Sequence, residues 1–283
     1  MSNAFRKIIE FIEAKKILVI VCALALVIIV IATTVVLIKR SPEKKSEEFR
    51  DVPKIAETRV DESASQWPST SAKYITAVPV DLSQIQSISK YRSCAGHDFA
   101  GYSFEQVQEA NRSMKHYVYP TPQFQGTTDK VKVFAPFDGV VSKVELESEV
   151  AGQPGKRPKT GNSITFSTEV DKNVGFEFSH VYFAGDFKVG DKVKAGELIG
   201  YAALGDKGND FDLVLSGTRL KNEKAYGSAF DHMTDSVLAE FAKYGVTPEN
   251  NKFTKEYRDA NPCDFTQQQQ RGRTGADWLQ LKH

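Results

Sequence analysis

Val133-Phe134-Ala135-Pro136-Phe137-Asp138-Gly139-Val140-Val141 and Phe187-Lys188-Val189-Gly190-Asp191-Lys192-Val193-Lys194-Ala195-Gly196-Glu197-Leu198-Ile199-Gly200 are the two stretches that decide how this chain folds. Each sets β-branched and aromatic residues on both sides of a glycine-bearing turn, so each reads as strand, tight turn, strand. Asp138-Gly139 is a strong turn pair, while Gly190 and Gly196 supply backbone conformations that side chains disfavour. Working outward, residues 131–135, 139–146, 163–168, 174–183, 197–203 and 211–216 are predicted as strands, with Gly, Asp or Pro between many of them. The fold class is therefore mainly β with peripheral helices. A short helix is predicted over 105–116. An amphipathic one is predicted over 230–244, with Phe230, Met233, Val237, Leu238 and Phe241 on one side and Gly245 just past its end. The tail, with Pro262, four glutamines at 267–270 and Gly272, is predicted to be irregular, with Trp278, Leu279 and Leu281 docking back.

Further out the character changes. Residues 17–38 contain no charged side chain. At about 1.5 Å per residue such a helix reaches about 33 Å, enough to cross a hydrocarbon core of about 30 Å. A buried core helix would keep a polar face. A cleaved signal has a shorter apolar core ending at small residues, whereas this run ends in Val35-Val36-Leu37-Ile38. The expectation is one uncleaved transmembrane helix, preceded by a short amphipathic segment at 1–16. Basic residues flank it on both sides, so the positive-inside rule does not set its direction. Placing the N-terminus in the cytoplasm and the remainder outside follows from the position of the run near the start. Residues 39–73, rich in Lys, Glu, Ser and Pro, read as a charged stalk, and 74–283 as an extracytoplasmic domain whose last part, 228–283, is a helical extension. The partner implied directly is the lipid bilayer. A net charge of +1 argues against a nucleic-acid binder.

The two opening stretches resemble the entry strand and the return segment of barrel-sandwich hybrid domains. Three groups share that architecture. Biotinyl and lipoyl carriers need a lysine at a hairpin tip, and no Met-Lys-Met triplet occurs here. Adaptor proteins insert a long coiled coil, for which 150–173 is too short and too rich in Gly and Pro. Lysostaphin- or LytM-type zinc endopeptidases fit better. Between the halves they carry a strand ending in histidine, similar to Phe178-Ser179-His180-Val181-Tyr182, and then a Gly-rich loop and short strand, similar to 205–215. The resemblance covers about 115–217 and implies a LytM-like β-sandwich.

It also implies where chemistry would lie. In that family a zinc ion held by three side chains with an open position activates water and polarises the scissile carbonyl. A His and an Asp four residues later supply two ligands, and the second His of a His-x-His strand supplies the third. Here the first position falls best on His116, four residues before Pro120, which cannot bind metal. The His-x-His strand corresponds to Asp210-Phe211-Asp212, and His180 matches the lone assisting histidine. The resemblance is thus to a degenerate member. If the site were rebuilt, His116 and Asp212 would hold zinc, His97-Asp98 would be the nearest further candidate, and His180 and Asp210 would be the catalytic pair. Otherwise no cofactor is expected, and His116, His180, Asp210 and Asp212 line a groove that binds a cell-envelope polymer or envelope protein. The alternative is a metal-dependent hydrolase of envelope peptides. Read singly, His97 and His116 are ordinary hydrogen-bonded histidines, and His232 is a surface or packing residue.

Three features stand apart from the resemblance. Cys94 and Cys263 are the two cysteines of the outer domain, and an oxidising compartment permits a bridge between them, the other reading being two independent thiols. Asn111-Arg112-Ser113 fits the glycosylation pattern, a tripeptide frequent by chance. The loop 152–161 carries Lys156, Arg157 and Lys159, and reads as a solvated loop or as a contact for an anionic polymer.

Overall fold

Strict alternation of side chains across paired strands explains which residues of this protein meet. The structure, a computed structural model, is described over residues 67–147, 161–205, 210–218, 223–266 and 275–283. The expected membrane span 17–38, the segment 1–16 and the stalk as far as residue 66 lie outside those residues, as does nearly all of the basic loop 152–161. Among the described residues, no helix is long and apolar enough to cross a membrane.

The strands are β1 (Ile85–Ser89), β2 (Tyr102–Ser103), β3 (His116–Pro120), β4 (Lys132–Phe134), β5 (Gly139–Glu145), β6 (Asn162–Thr168), β7 (Val174–Phe183), β8 (Lys192–Val193), β9 (Leu198–Ala202), β10 (Phe211–Thr218), β11 (Lys224–Gly227) and β12 (Trp278–Gln280). They pair in the order β12-β1-β3-β10-β7-β6-β5-β8, with β11 beside β10 and β2, and β9 joining β4 to β7. The protein is mainly β, as its patterning predicts. β2 with β11 is a parallel pair, while the central ladders are antiparallel.

Register sorts the central residues into two faces. Ile164 lies opposite Phe178, Phe178 opposite Leu213, and Leu213 opposite His116. The neighbouring row joins Phe166, Phe176 and Leu215. All seven are buried, and the rings of Phe166, Phe176 and Phe178 pack edge to face or tilted. On the other face Ser163, Ser179, Asp212 and Tyr117 lie abreast, followed by Thr165, Glu177 and Val214. The apolar rows form the core and the hydroxyl-rich rows floor the opposite face.

β7 changes partners along its length. β6 lines one edge, while the other edge pairs with β10 up to Ser179 and with β9 from Val181 onward. His180 sits at the switch with φ +66, opposite a register shift between Asn162 and Ser163. Such a bulge bends the strand and re-aims one side chain. Gly161 lies against it: a Cβ there would come within 3.0 Å of Val181 N and 2.6 Å of Ala203 Cβ, so only glycine fits this approach.

Two helical expectations change. Residues 105–116 form no helix. Gln106 and Asn111 adopt φ of +67 and +55, and the segment instead delivers Glu109 and Arg112 to a buried network. There Glu109 takes Arg92 Nη2 at 2.7 Å and Arg112 Nη1 at 2.7 Å. Satisfying a buried carboxylate outweighs a few residues of helix propensity. The late helix, α1 (Asp235–Lys243), starts five residues after the expected point because Thr234 is extended (φ −67, ψ 159). The preceding Ala229–His232 forms a 3-10 turn. This turn buries His232, whose ring stacks on Tyr74 and accepts Phe104 edge-on. A second helix, α2 (Lys255–Ala260), is capped by Thr254. The tail residues Trp278, Leu279 and Gln280 pair with β1. Cys94 and Cys263, 169 residues apart, are joined by a disulfide with Cα atoms 5.3 Å apart.

Candidate functional site

Asp212 faces outward because Leu213, its neighbour on β10, belongs to the core row. Lys115 precedes β3 and shares the parity of Tyr117, so it reaches the same face. Its ammonium lies 2.7 Å from Asp212 Oδ2, and the two side chains are 5% and 6% exposed. The same ammonium is 3.4 Å from His97 Nε2 and lies over the rings of Phe99 at 4.7 Å and Tyr117 at 4.6 Å. His97 Nδ1 faces the carbonyl of Asp98 at 2.8 Å. With Lys115 donating to Nε2, the neutral tautomer protonated on Nδ1 satisfies both contacts. The bulge in β7 brings His180 to the same centre, with Nε2 3.9 Å from Asp212 Oδ2.

The loop 94–99 that carries His97 is built onto Tyr117. Gly96 has φ +64, and a Cβ there would fall 1.8 Å from Tyr117 Cζ. His97 N donates to Tyr117 Oη at 3.2 Å. Burial, reinforced by the charges of Asp212 and Asp210, pushes the Tyr117 phenol well above its ordinary range and keeps it neutral. The loop is fastened at both ends. Cys94 N donates to Asp277 Oδ1 at 2.8 Å, and Phe99 exchanges backbone bonds with Arg112 and Met114 at 3.0 and 2.9 Å. The Phe99 ring then meets Tyr226 at 4.7 Å.

Beside this centre lies the half-buried outer row of the sheet: Ser163, Thr165, Glu177, Ser179 and Ser216. Glu177 Oε1 accepts from Ser179 Oγ at 3.1 Å, and Tyr226 lies opposite Ser216 on β11. Small hydroxyls, one carboxylate and a bordering ring suit a ligand rich in amide and hydroxyl groups.

The residues singled out from sequence divide between the two faces. His180 and Asp212 are brought together. Asp210 stands just ahead of β10 and acts on Tyr117 electrostatically. His116 does not meet Asp212: it lies in the core row, 1% exposed, with Phe230 edge-on at 5.2 Å. Its Nδ1 faces the carbonyl of Ser89 at 2.8 Å, and its Nε2 finds no hydrogen-bond partner among the described residues. His97, a candidate by composition only, belongs to the centre. Lys115 was not read from the sequence, although it immediately precedes the expected ligand position. Seeing it required knowing which of the two adjacent residues shares a face with Asp212.

Zinc, which the resemblance implies, does not fit these residues as they stand. Asp212 is taken by an ammonium and His116 is on the far side of the sheet. Among the described residues, no three His, Cys, Asp or Glu side chains converge on a metal position.

His116 carries a pH dependence. Burial penalises its charged form and lowers its pKa to about 4, partly offset by the Ser89 carbonyl. An unfolded histidine titrates near 6.5. Between those values the unfolded chain binds a proton that the folded chain refuses. The contribution is complete above about pH 6.5 and is lost as pH falls through about 4. Between pH 7 and 4 the urea-unfolding free energy should therefore fall by roughly 3 kcal/mol more in the unaltered protein than in His116→Leu. His232, whose pKa is also lowered by burial, is present in both proteins and cancels. Parallel pH profiles would assign the acid lability to other groups.

No protein-family model matches the sequence, and no curated protein matches it. Among solved structures, a zinc-containing peptidase from Vibrio cholerae matches at 16% identity and a TM-score of 0.33, covering 58% of this chain and 41% of the other. A Ruminococcus gnavus protein described as a glycyl-glycine endopeptidase, lytM, matches at 16% identity and a TM-score of 0.36, covering 58% and 61%. The catalytic domain of lysostaphin from Staphylococcus simulans matches at 18% identity and a TM-score of 0.29, covering 46% and 86%. These proteins are of the class that the sequence resembles, and the chain spans 41% and 61% of the length of the first two.

Proposed function

We propose that this chain is a membrane-anchored extracytoplasmic protein whose β domain binds a cell-envelope polymer, or an envelope protein, on the outer face of its sheet without hydrolysing it. One observation carries the reading: the carboxylate of Asp212, at the position the resemblance assigns to a metal ligand, is neutralised by the buried ammonium of Lys115. A hydrolytic zinc centre needs three ligands and an open position for water. A lysine already paired inside the ligand cluster supplies charge but no coordination site. The outer row beside it presents hydroxyls and the Glu177 carboxylate, groups that a polar ligand can engage. The outward placement is supported by the apolar run 17–38 and by the disulfide, since such bonds persist in oxidising compartments.

Full-length protein in detergent, purified without a metal-binding tag, should co-sediment with isolated peptidoglycan. The sedimented fraction should not change with a chelator, and no soluble fragments should appear by mass spectrometry. Ser179→Trp, which puts a bulky ring in the middle of that row, should weaken sedimentation at least about tenfold, since a few mispacked contacts are worth about 1–3 kcal/mol. Release of fragments that a chelator abolishes would establish the metallohydrolase reading instead.

A further inference from the structure

We propose that the Cys94–Cys263 bridge is a site of thiol–disulfide exchange with a dithiol reductant, in which Cys263 is the attacked sulfur and Cys94 the leaving thiolate. The two sulfurs have opposite surroundings. Arg258 Nη1 points at Cys94 Sγ from 2.7 Å, and a cation beside a sulfur favours its thiolate. Cys263 Sγ faces the carbonyl oxygen of Ser93 at 3.5 Å, which can accept from a thiol and opposes a thiolate. The guanidinium is fixed by its other bonds. Nε donates to the carbonyl of Arg92 at 2.7 Å, Nη1 to that of Asn261 at 3.0 Å, and Nη2 to Asp277 Oδ1 at 3.0 Å. Asp277 opposes a negative Cys94, but its Oδ1 is taken by Arg258 and by Cys94 N. The other charges of these segments, Arg92, Glu109, Arg112 and Asp259, pair among themselves. Access selects the same sulfur. Cys94 and Cys263 are 6% and 8% exposed, yet Arg92, Ser93 and Ala95 beside Cys94 are buried, while Asn261, Pro262 and Asp264 beside Cys263 are exposed. Displacing that outer segment uncovers Cys263 first.

A thiolate of the reductant attacks Cys263 Sγ, the S–S bond breaks, and its electron pair leaves on Cys94 Sγ beside Arg258. A thiol of lower pKa leaves faster. The reductant's second thiolate then attacks its own sulfur in the mixed disulfide and expels Cys263, which takes a proton and can donate to Ser93. Two electrons pass to the bridge, and the dithiol ends as a disulfide. Reduction frees the first residue of the loop that brings His97 Nε2 to 3.4 Å from Lys115, so it acts on the centre through that loop, whatever the outer face binds.

Full-length protein in detergent, with Cys22 blocked by alkylation, is treated with glutathione, a single thiol that leaves the mixed disulfide in place. After an acid quench the freed thiols are alkylated and both positions are mapped by peptide mass spectrometry. Glutathione should be found on Cys263 at least about tenfold more often than on Cys94, while the amides of β6 and β7 keep their protection from hydrogen exchange. In the fully reduced protein, Arg258→Met should raise the pH midpoint of Cys94 alkylation by at least about one unit, and Arg258→Lys should restore most of it. Glutathione on Cys94, or shared evenly, overturns the proposal. So does opening of the bridge only as fast as β6 and β7 lose protection, or a Cys94 midpoint that Arg258→Met leaves unmoved. The mapping needs no variant and decides the matter if Arg258→Met does not fold.

Discussion

Asp212→Ala should lower the unfolding free energy at pH 7 by roughly 3–5 kcal/mol, the range for leaving one member of a buried ion pair uncompensated. Lys115 is 5% exposed and cannot reach bulk water without moving the loop above it. After the substitution its ammonium keeps the faces of Phe99 and Tyr117, and cation–π contacts are worth only about 0.5–2 kcal/mol each. It also keeps the His97 ring nitrogen at 3.4 Å. The pair itself need not be a net stabiliser, because taking both charges out of water is costly. The double variant Lys115→Met/Asp212→Leu should therefore recover most of the loss. Urea unfolding of both singles and the double closes the cycle. A loss below about 1 kcal/mol for Asp212→Ala would mean that Lys115 escapes to solvent and that the buried pair does not organise the site.

The second large effect is the disulfide. In Cys94→Ser/Cys263→Ser the unfolded chain regains the freedom of a loop whose ends are 169 residues apart. The entropic model puts this near 5 kcal/mol, and measured losses for native bridges run about 2–5 kcal/mol. Other links between the same segments persist: Arg258 Nη2 with Asp277 at 3.0 Å, Arg258 Nε with the carbonyl of Arg92 at 2.7 Å, and Arg112 with Asp259. The fold should therefore survive at room temperature. The loop 94–99 should loosen first, because the bridge ties its first residue to Cys263 and the hydrogen bonds at its two ends are left to hold it. Hydrogen exchange should show lost protection at the amides of His97 and Phe99, with protection retained in β6 and β7. Equal loss throughout would mean that the bridge acts only on the unfolded chain and not on the site.

Much of this architecture was legible without coordinates. The runs that became β5, β6, β7 and β10 show alternation or β-branched and aromatic enrichment, and turn residues bound them. Local sterics and burial therefore specify them with little help from distant chain. The strands that escaped include β1, β2, β3, β11 and β12, and pairing partners supplied largely by remote segments make them strands. The expected helix at 105–116 failed for a related reason. Its Glu109 and Arg112 are used in a buried charge network completed by Arg92, and nothing local announces that use.

For the site, the amino-acid sequence determined the residue types: the two aspartates where a histidine pair would stand, His180 in its strand, and the cysteines able to bridge. Only the tertiary structure decided which of them meet. Side chains on a strand alternate with a period of two, so a shift of one residue in register moves a side chain to the opposite face. The register of β3 against β10 is set by long-range packing. It buries His116 in the core row and turns Lys115 toward Asp212. A bulge at His180, fitted against Gly161, then adds a histidine that regular alternation would have pointed away.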